Sequence, residues 1–351
     1  MDYKAAGVDI DTANRAKQMM AAAVRATHGP AVLAGMGAFG GALSLAETLT
    51  RCADPVLVAS TDGVGTKTLI AAALERYDTV GQDLVNHCIN DLLVQGARPL
   101  FFMDYIAAAR LNAEHVAALV EGISLACREA GCALLGGETA EMPDVYAAGA
   151  FDLAGTMVGV VARDALITGA TIKPGDRVLA LPSSGLHTNG YSLARRICEP
   201  LGYATRPPEL GGQSLGEALL AVHRSYLLHV EALFATDVPI KGLAHITGGG
   251  LWENLPRILP DGVGVEVRRG SWEISPIFRL LTEQAGLDEY EAFRTFNMGL
   301  GMIVILDAAD VETARSVVPE LQVIGKTIAA DGPERVRLVS SEGAGTIWIT
   351  A

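Results

Sequence analysis

Ser60-Thr61-Asp62-Gly63-Val64-Gly65-Thr66-Lys67-Thr68 gathers an acid, two glycines, hydroxyls and a lysine behind the apolar run 56–59. A helix is expected next, over residues 69–76. Asp62 at a strand tip can hold a hard cation such as Mg²⁺. Gly63 and Gly65 let backbone N–H groups approach an anion, with Thr66 at the helix start adding to the favourable potential there. Lys67 would supply a full positive charge. The segment is not a Walker A loop, because Thr66 stands where that loop needs glycine before the lysine. An ordinary strand-to-helix turn with a solvated acid and lysine remains the plain alternative.

Other segments carry related chemistry. Asn86, His87, Asn90 and Asp91 fall on a helix predicted over 81–94, with His87 and Asp91 four apart on one face. Asp91 reads as a second carboxylate beside Asp62, and His87 as part of a solvated face. Gly136-Gly137-Glu138 opens a polar loop after a short strand at 132–135. Glu138 would be the third acid of a Mg²⁺ cluster, because a metal-bound polyphosphate needs several carboxylates. Gly35-x-Gly37-x-x-Gly40 has the letters of a dinucleotide fingerprint. It lacks a convincing strand before it and an acid about 20 residues beyond, so a glycine-rich cover over a nucleotide is the better reading.

In the second half, Ser183-Ser184-Gly185-Leu186-His187-Thr188-Asn189-Gly190 follows an apolar strand and precedes a helix. It has no G-x-S-x-G elbow, which argues against a serine hydrolase. His187 is the best general acid–base candidate in the chain. A loop histidine bonded only to backbone is the plain alternative. His245-Ile246-Thr247-Gly248-Gly249-Gly250 repeats the strand–glycine–helix design, and its three amides are expected to be free for an anion.

The elements that must position these residues alternate between apolar strands and amphipathic helices, so the fold class is α/β (α+β). The turn-rich segment 168–176 divides the chain into an N-terminal domain, 1–170, and a C-terminal one, 171–351. The first is expected to hold a metal–nucleotide; the second is expected to hold a phosphorylated substrate. The 351 residues carry a formal net charge of -13, which argues against a nucleic-acid binder. No 18-residue apolar run or leader pattern appears, so no membrane contact and a cytoplasmic location are expected. Five cysteines without a C-x-x-C argue against a disulfide framework or a structural zinc site.

Together these segments resemble the phosphoribosylformylglycinamidine cyclo-ligase (AIR synthetase) family. The resemblance runs from Tyr3-Lys4-Ala5-Ala6-Gly7-Val8-Asp9-Ile10 to Phe296-Asn297-Met298-Gly299-Leu300-Gly301-Met302. Between them lie TDGVGTK, NDLLVQGA, GGETAEMP, SSGLHTNGYSL and HITGGGLWENLPR, in order. The resemblance implies a ligase of purine biosynthesis that uses ATP and Mg²⁺ to turn formylglycinamidine ribonucleotide into aminoimidazole ribonucleotide, ADP and phosphate. It implies a homodimer whose N-terminal sheets pair into a shared barrel, with α/β C-terminal domains outside. Lys4 and Gly7 to Asp9 would form a flexible ATP-side loop. Asp62, Lys67, Asp91 and Glu138 would serve Mg²⁺ and the phosphates, with Gly63, Gly65, Thr66, Gly136 and Gly137 beside them. His187 and Asn189 would sit near the reacting groups. Ala34 and Ala38 stand where the family usually has glycine. A related kinase and a non-catalytic nucleotide binder are the rival readings.

Overall fold

The computed structural model describes residues 9–340 and the backbone course of Thr346–Ile349. The chain divides into two units. One comprises residues up to Leu92 together with Gly96–Leu166; the other comprises Leu93–Gln95 and everything from Ile167 on.

The first unit begins with α1 (Ile10–Arg25), the two short strands β1 (Val32–Ala34) and β2 (Ala42–Leu43), and α2 (Ala46–Arg51). β3 (Pro55–Gly63), α3 (Lys67–Ala73), α4 (Asp78–Leu93), β4 (Arg98–Ala108), α5 (Ala113–Glu129), β5 (Ala133–Glu141) and β6 (Phe151–Ala162) follow. Four strands form an open sheet in the order β3-β6-β4-β5, parallel only between β4 and β5. Period-two burial orients it. Along β6 every second residue from Leu153 to Val161 is buried, while those between are half-buried. The inner face meets helices. α5 turns Val116, Leu119, Val120, Ile123 and Cys127 inward at helical spacing and packs along α1. Its start is set by Asn112, whose side chain accepts the His115 N–H. On the outer face Leu57 and Met103 are exposed, and the Thr61 and Thr156 hydroxyls meet at 2.8 Å.

The second unit contains β7 (Arg177–Pro182), α6 (Tyr191–Leu201), α7 (Leu215–Leu219), α8 (Leu227–Phe234), β8 (Gly242–His245), α9 (Gly250–Asn254) and β9 (Val263–Arg268). α10 (Pro276–Ala285), α11 (Glu289–Thr295), β10 (Leu300–Leu306), α12 (Val311–Val317), β11 (Gln322–Ala329), β12 (Val336–Val339) and β13 (Thr346–Ile349) complete it. Its seven-stranded sheet has the order β13-β12-β9-β11-β7-β10-β8, with β12 and β9 parallel and the other pairs antiparallel. β10 is buried along its whole length, as a strand covered on both faces must be.

Several expectations shift. Gly136-Gly137-Glu138 is strand rather than loop, because β5 continues to Glu141 beside β4. Gly137 permits this: a Cβ there would overlap the Asp104 carboxylate on β4. The helix expected after Gly250 is one α-turn, Gly250–Asn254, that tightens into 3₁₀ at Leu255–Ile258. Among the described residues the four-stranded sheet is open, as a sheet that would pair with a second copy must be.

Candidate active site

The first unit assembles a carboxylate–imidazole cluster where β3 runs out. Ser60 and Asp62 lie two residues apart, so they share the inner face of β3. His87 and Asp91 lie one turn apart on α4. The His87 Nε2 stands 3.0 Å from Asp62 Oδ2 and 3.8 Å from Asp91 Oδ2. Ser60 Oγ donates to Asp91 Oδ2 at 3.1 Å, and the Gly63 N–H donates to Asp62 Oδ1 at 2.7 Å. His87 is buried, whereas the Asp62 and Asp91 side chains keep 42% and 28% of their surface. The cluster therefore has a buried basic floor and an open acidic rim.

Charge follows that geometry. Burial works against ionised Asp62, but the hydrogen bond and charge of His87 and the Gly63 amide outweigh it and hold the carboxyl below its usual range. Burial also opposes a charged His87. The hydrogen bond to Asp62, with the charges of Asp91, Asp62 and Asp83, outweighs it and raises the imidazole.

Three of the expected residues are placed differently from the sequence reading. Lys67 presents no free charge to a phosphate: its ammonium is fully buried and paired at 2.7 Å with Asp83 of α4. The reading missed Asp83 because nothing in its spacing marks a partner. His87 is not on a solvated face, because the side of α4 it shares with Asp91 is turned onto β3. Glu138 does not join the other two acids. Asp62 pairs in register with Gly155, Gly155 with Asp104 and Asp104 with Gly137. Glu138 thus follows a residue three strand spacings from Asp62, roughly 14 Å away, on the edge strand. Gly136 and Gly137 lie at that same edge.

At the turn after β3, Gly65 takes φ +53°. The amides of Lys67, Thr68 and Leu69 donate to the carbonyls of Val64, Gly65 and Thr66, so this turn satisfies much of its own backbone. Lys4 and Gly7 lie outside the described residues. Asp9 is the N-cap of α1, accepting the Asp11 and Thr12 amides at 3.1 and 3.3 Å. Its own N–H donates to Glu141.

The second unit assembles a histidine cluster. His187 sits in the loop after β7 with a positive φ of 60°, a strained conformation for a side-chain-bearing residue. It is buried, and its Nε2 accepts the Ser184 N–H at 3.3 Å. Its ring stacks on His223 at 4.0 Å and 12°. His223 Nε2 stands 3.0 Å from Nε2 of His245, the last residue of β8. Gly301 of β10 makes room for this packing: a Cβ there would overlap the Tyr226 hydroxyl and press on His187. Asn297 braces the loop, its Oδ1 accepting from Ser183 Oγ and the Gly299 N–H and its Nδ2 donating to the Gly185 carbonyl, each at 2.9 Å. Asn189 is half-buried, with its Oδ1 toward Gly248. The expected set of three free glycine amides is corrected, since the Gly250 N–H donates to the Thr247 carbonyl. Sequence reasoning saw His245 only as part of a motif and passed over His223, whose Val222-His223-Arg224 setting carries no signal.

Comparisons with known proteins agree with these two units. Residues 46–161 match the family described as AIR synthase related protein, N-terminal domain, and residues 173–337 match AIR synthase related protein, C-terminal domain. A phosphoribosylformylglycinamidine cyclo-ligase of Desulfitobacterium hafniense is 48% identical over 92% of this chain and 94% of its own length. One from Alkaliphilus oremlandii is 46% identical over 96% and 99%. Among solved structures, E. coli HypE superposes with a TM-score of 0.68 at 18% identity, covering 97% of this chain and 95% of HypE. Thiamine-monophosphate kinase from Stenotrophomonas maltophilia gives 0.64 at 19%, covering 93% and 97%. At those identities the structural matches speak for the fold alone. With both domain matches in order and relatives near half identity along almost all of the chain, this protein belongs to the phosphoribosylformylglycinamidine cyclo-ligase family, enzymes that close a ring through a C–N bond.

Proposed function

We propose that this chain is an ATP-dependent, Mg²⁺-requiring enzyme converting formylglycinamidine ribonucleotide into aminoimidazole ribonucleotide, ADP and phosphate in de novo purine synthesis. Family membership supports the ring closure. The observation that carries the phosphoryl-transfer half is the Asp62–Asp91 pair, ordered by His87 and Ser60 and open at its rim. Its donors are hard carboxylate oxygens, which fit Mg²⁺. When bound, Mg²⁺ would neutralise charge on the transferring phosphoryl group. A protein of the same fold, HypE, has been solved in complex with ATP, in keeping with nucleotide use.

The formyl oxygen is a poor leaving group. Transfer of the ATP γ-phosphoryl to it breaks the bond to ADP and gives an iminophosphate. The ribose-bearing nitrogen of the same molecule then attacks the formyl carbon, and phosphate departs with the oxygen. Ring closure is intramolecular, so the protein's main task is to hold a reactive conformer. His187, with Nε2 held by Ser184, and Asn189 are assigned to proton movement and orientation near the reacting groups. Lys67 is assigned a structural part, joining α3 to α4 beneath the acids. Glu138, Gly136 and Gly137 at the sheet edge, Gly63, Gly65 and Thr66 in the β3 turn, and the segment holding Lys4, Gly7 and Asp9 remain candidates for the nucleotide side.

The chain is further proposed to work in the cytoplasm as a homodimer. The exposed outer face of the four-stranded sheet, with Leu57 and Met103, is the surface offered for pairing into a barrel. Incubation of the purified protein with formylglycinamidine ribonucleotide and Mg-ATP, following both products, tests the reading.

A further inference from the structure

The β7–α6 loop turns through positive φ at Gly185 (142°), His187 (60°) and Gly190 (78°). A conformation of this kind persists only where the surroundings over-determine it, above all at a residue with a side chain such as His187. The dipeptide Phe296-Asn297, just before β10, supplies a grip at each end of the loop.

Asn297 takes the front. It is buried, and its carboxamide makes hydrogen bonds of 2.9 Å to Ser183, Gly185 and Gly299. Each has one possible polarity. The Gly299 N–H can only donate, so the atom it meets is the amide oxygen. The Gly185 carbonyl can only accept, so the atom it meets is the amide nitrogen. The carboxamide therefore has a single orientation, and the Ser183 hydroxyl donates to Oδ1.

Phe296 takes the rear. A Cβ at Gly190 would overlap its ring. A Cβ at Gly250, where α9 starts, would overlap the Phe293 carbonyl and press on that of Phe296. The chain around Asn297 is itself fixed. Trp272 Nε1 donates to the Met298 carbonyl at 2.9 Å, and the Leu300 N–H donates to the Asn297 carbonyl at 2.9 Å as β10 begins. His187 and Asn189 lie in the span between the two grips.

We propose that Asn297 is a positioning residue: its hydrogen bonds of fixed polarity set the path of the β7–α6 loop and so the places of His187 and Asn189. That these two serve ring closure rests on the cyclo-ligase reading above; the clasp on the loop does not.

The test uses Asn297→Asp, which keeps the shape and changes one atom. Its second carboxylate oxygen would face the Gly185 carbonyl, acceptor against acceptor. Protonated there, it donates again and restores all three bonds. Burial and the facing carbonyl both disfavour the charged form, so this carboxyl is expected above the usual carboxylate range. Turnover and amide hydrogen exchange over 183–190 are followed against wild type at each pH. At about pH 8.5, kcat is expected to fall on the order of 10- to 100-fold with little change in the KM for ATP, as for misplaced reacting groups. Exchange over 183–190 is expected to quicken while that of β10 holds. Both should return toward wild type as pH falls to about 6. Wild-type kcat and exchange at every pH in folded Asn297→Asp overturn the proposal, and so does a loss that does not vary with pH. If Asn297→Asp does not fold, Ser183→Ala decides, since it removes one donor to Oδ1 and leaves the Gly185 bond. Faster exchange confined to 183–190 in that variant upholds the proposal, and unchanged exchange overturns it. Absence of cyclo-ligase turnover in wild type defeats the functional reading and leaves the exchange result to decide this one.

Discussion

Lys67 Nζ and Asp83 Oδ2 stand 2.7 Å apart with both side chains shut away from solvent. Burial lowers the Lys67 pKa, and the charge and hydrogen bond of Asp83 only partly oppose it. Removing one partner strands a charge in a dry interior. Asp83→Asn is therefore expected to cost about 3–5 kcal/mol in urea denaturation. The double replacement Lys67→Met, Asp83→Leu is expected to cost much less, because no charge remains to be paired. Equal losses in the single and double variants would contradict this account.

The Asp62–His87 pair predicts a pH window. His87 is raised above its ordinary 6.5, so its contribution is complete below 6.5 and is lost as pH rises through the folded value. Asp62 is lowered below its ordinary 3.8, so its contribution is complete above 3.8 and is lost as pH falls through the folded value. Both act fully between those two ordinary values. In chelator, the stability gap between wild type and His87→Asn is expected to be widest near pH 5–6 and to narrow above neutrality. A gap that does not vary with pH would remove the ion pair from the explanation.

If Asp62 and Asp91 hold Mg²⁺ beside a nucleotide, Asp91→Asn should weaken Mg²⁺-dependent nucleotide binding by about 10–100-fold, a loss at least as large as that from disturbing a ligand's supports. Isothermal titration with a non-hydrolysable ATP analogue, with and without Mg²⁺, measures it. Binding without Mg²⁺ should change far less. Equal weakening in both conditions would point to general damage.

The outer face of the four-stranded sheet carries the dimer reading. Leu57 on the edge strand β3 is 62% exposed and Met103 on the inner strand β4 41%, a large apolar display for one sheet face. The double variant Leu57→Asp, Met103→Asp is expected to halve the mass seen by light scattering while circular dichroism stays unchanged. A dimer that survives both charges would have to pair elsewhere.

Much of the fold was legible because local chemistry agreed with the tertiary result. The apolar run 56–59 lies in β3, and the helix predicted over 81–94 is the body of α4, Asp78–Leu93. The failures share one cause, since each depended on a neighbour distant in sequence. Gly136-Gly137 looked like a loop until Asp104 of β4 explained why a strand there needs glycine. The spacing of His87 and Asp91 showed a common face but could not say that it was turned onto β3. Lys67 read as a cation for the phosphates, and its buried pairing with Asp83 had no signal in the sequence. His223 had no motif at all, and only the meeting of the β7–α6 loop, the segment before α8 and the end of β8 sets it beside His187 and His245.

The central claim is ring closure driven by ATP. Its most direct test follows ADP and aminoimidazole ribonucleotide together in one reaction of purified protein, formylglycinamidine ribonucleotide and Mg-ATP. The account predicts equal amounts of both, dependent on the ribonucleotide and abolished by Mg²⁺ removal. ADP without the imidazole, or bound nucleotide with no ADP at all, would contradict it.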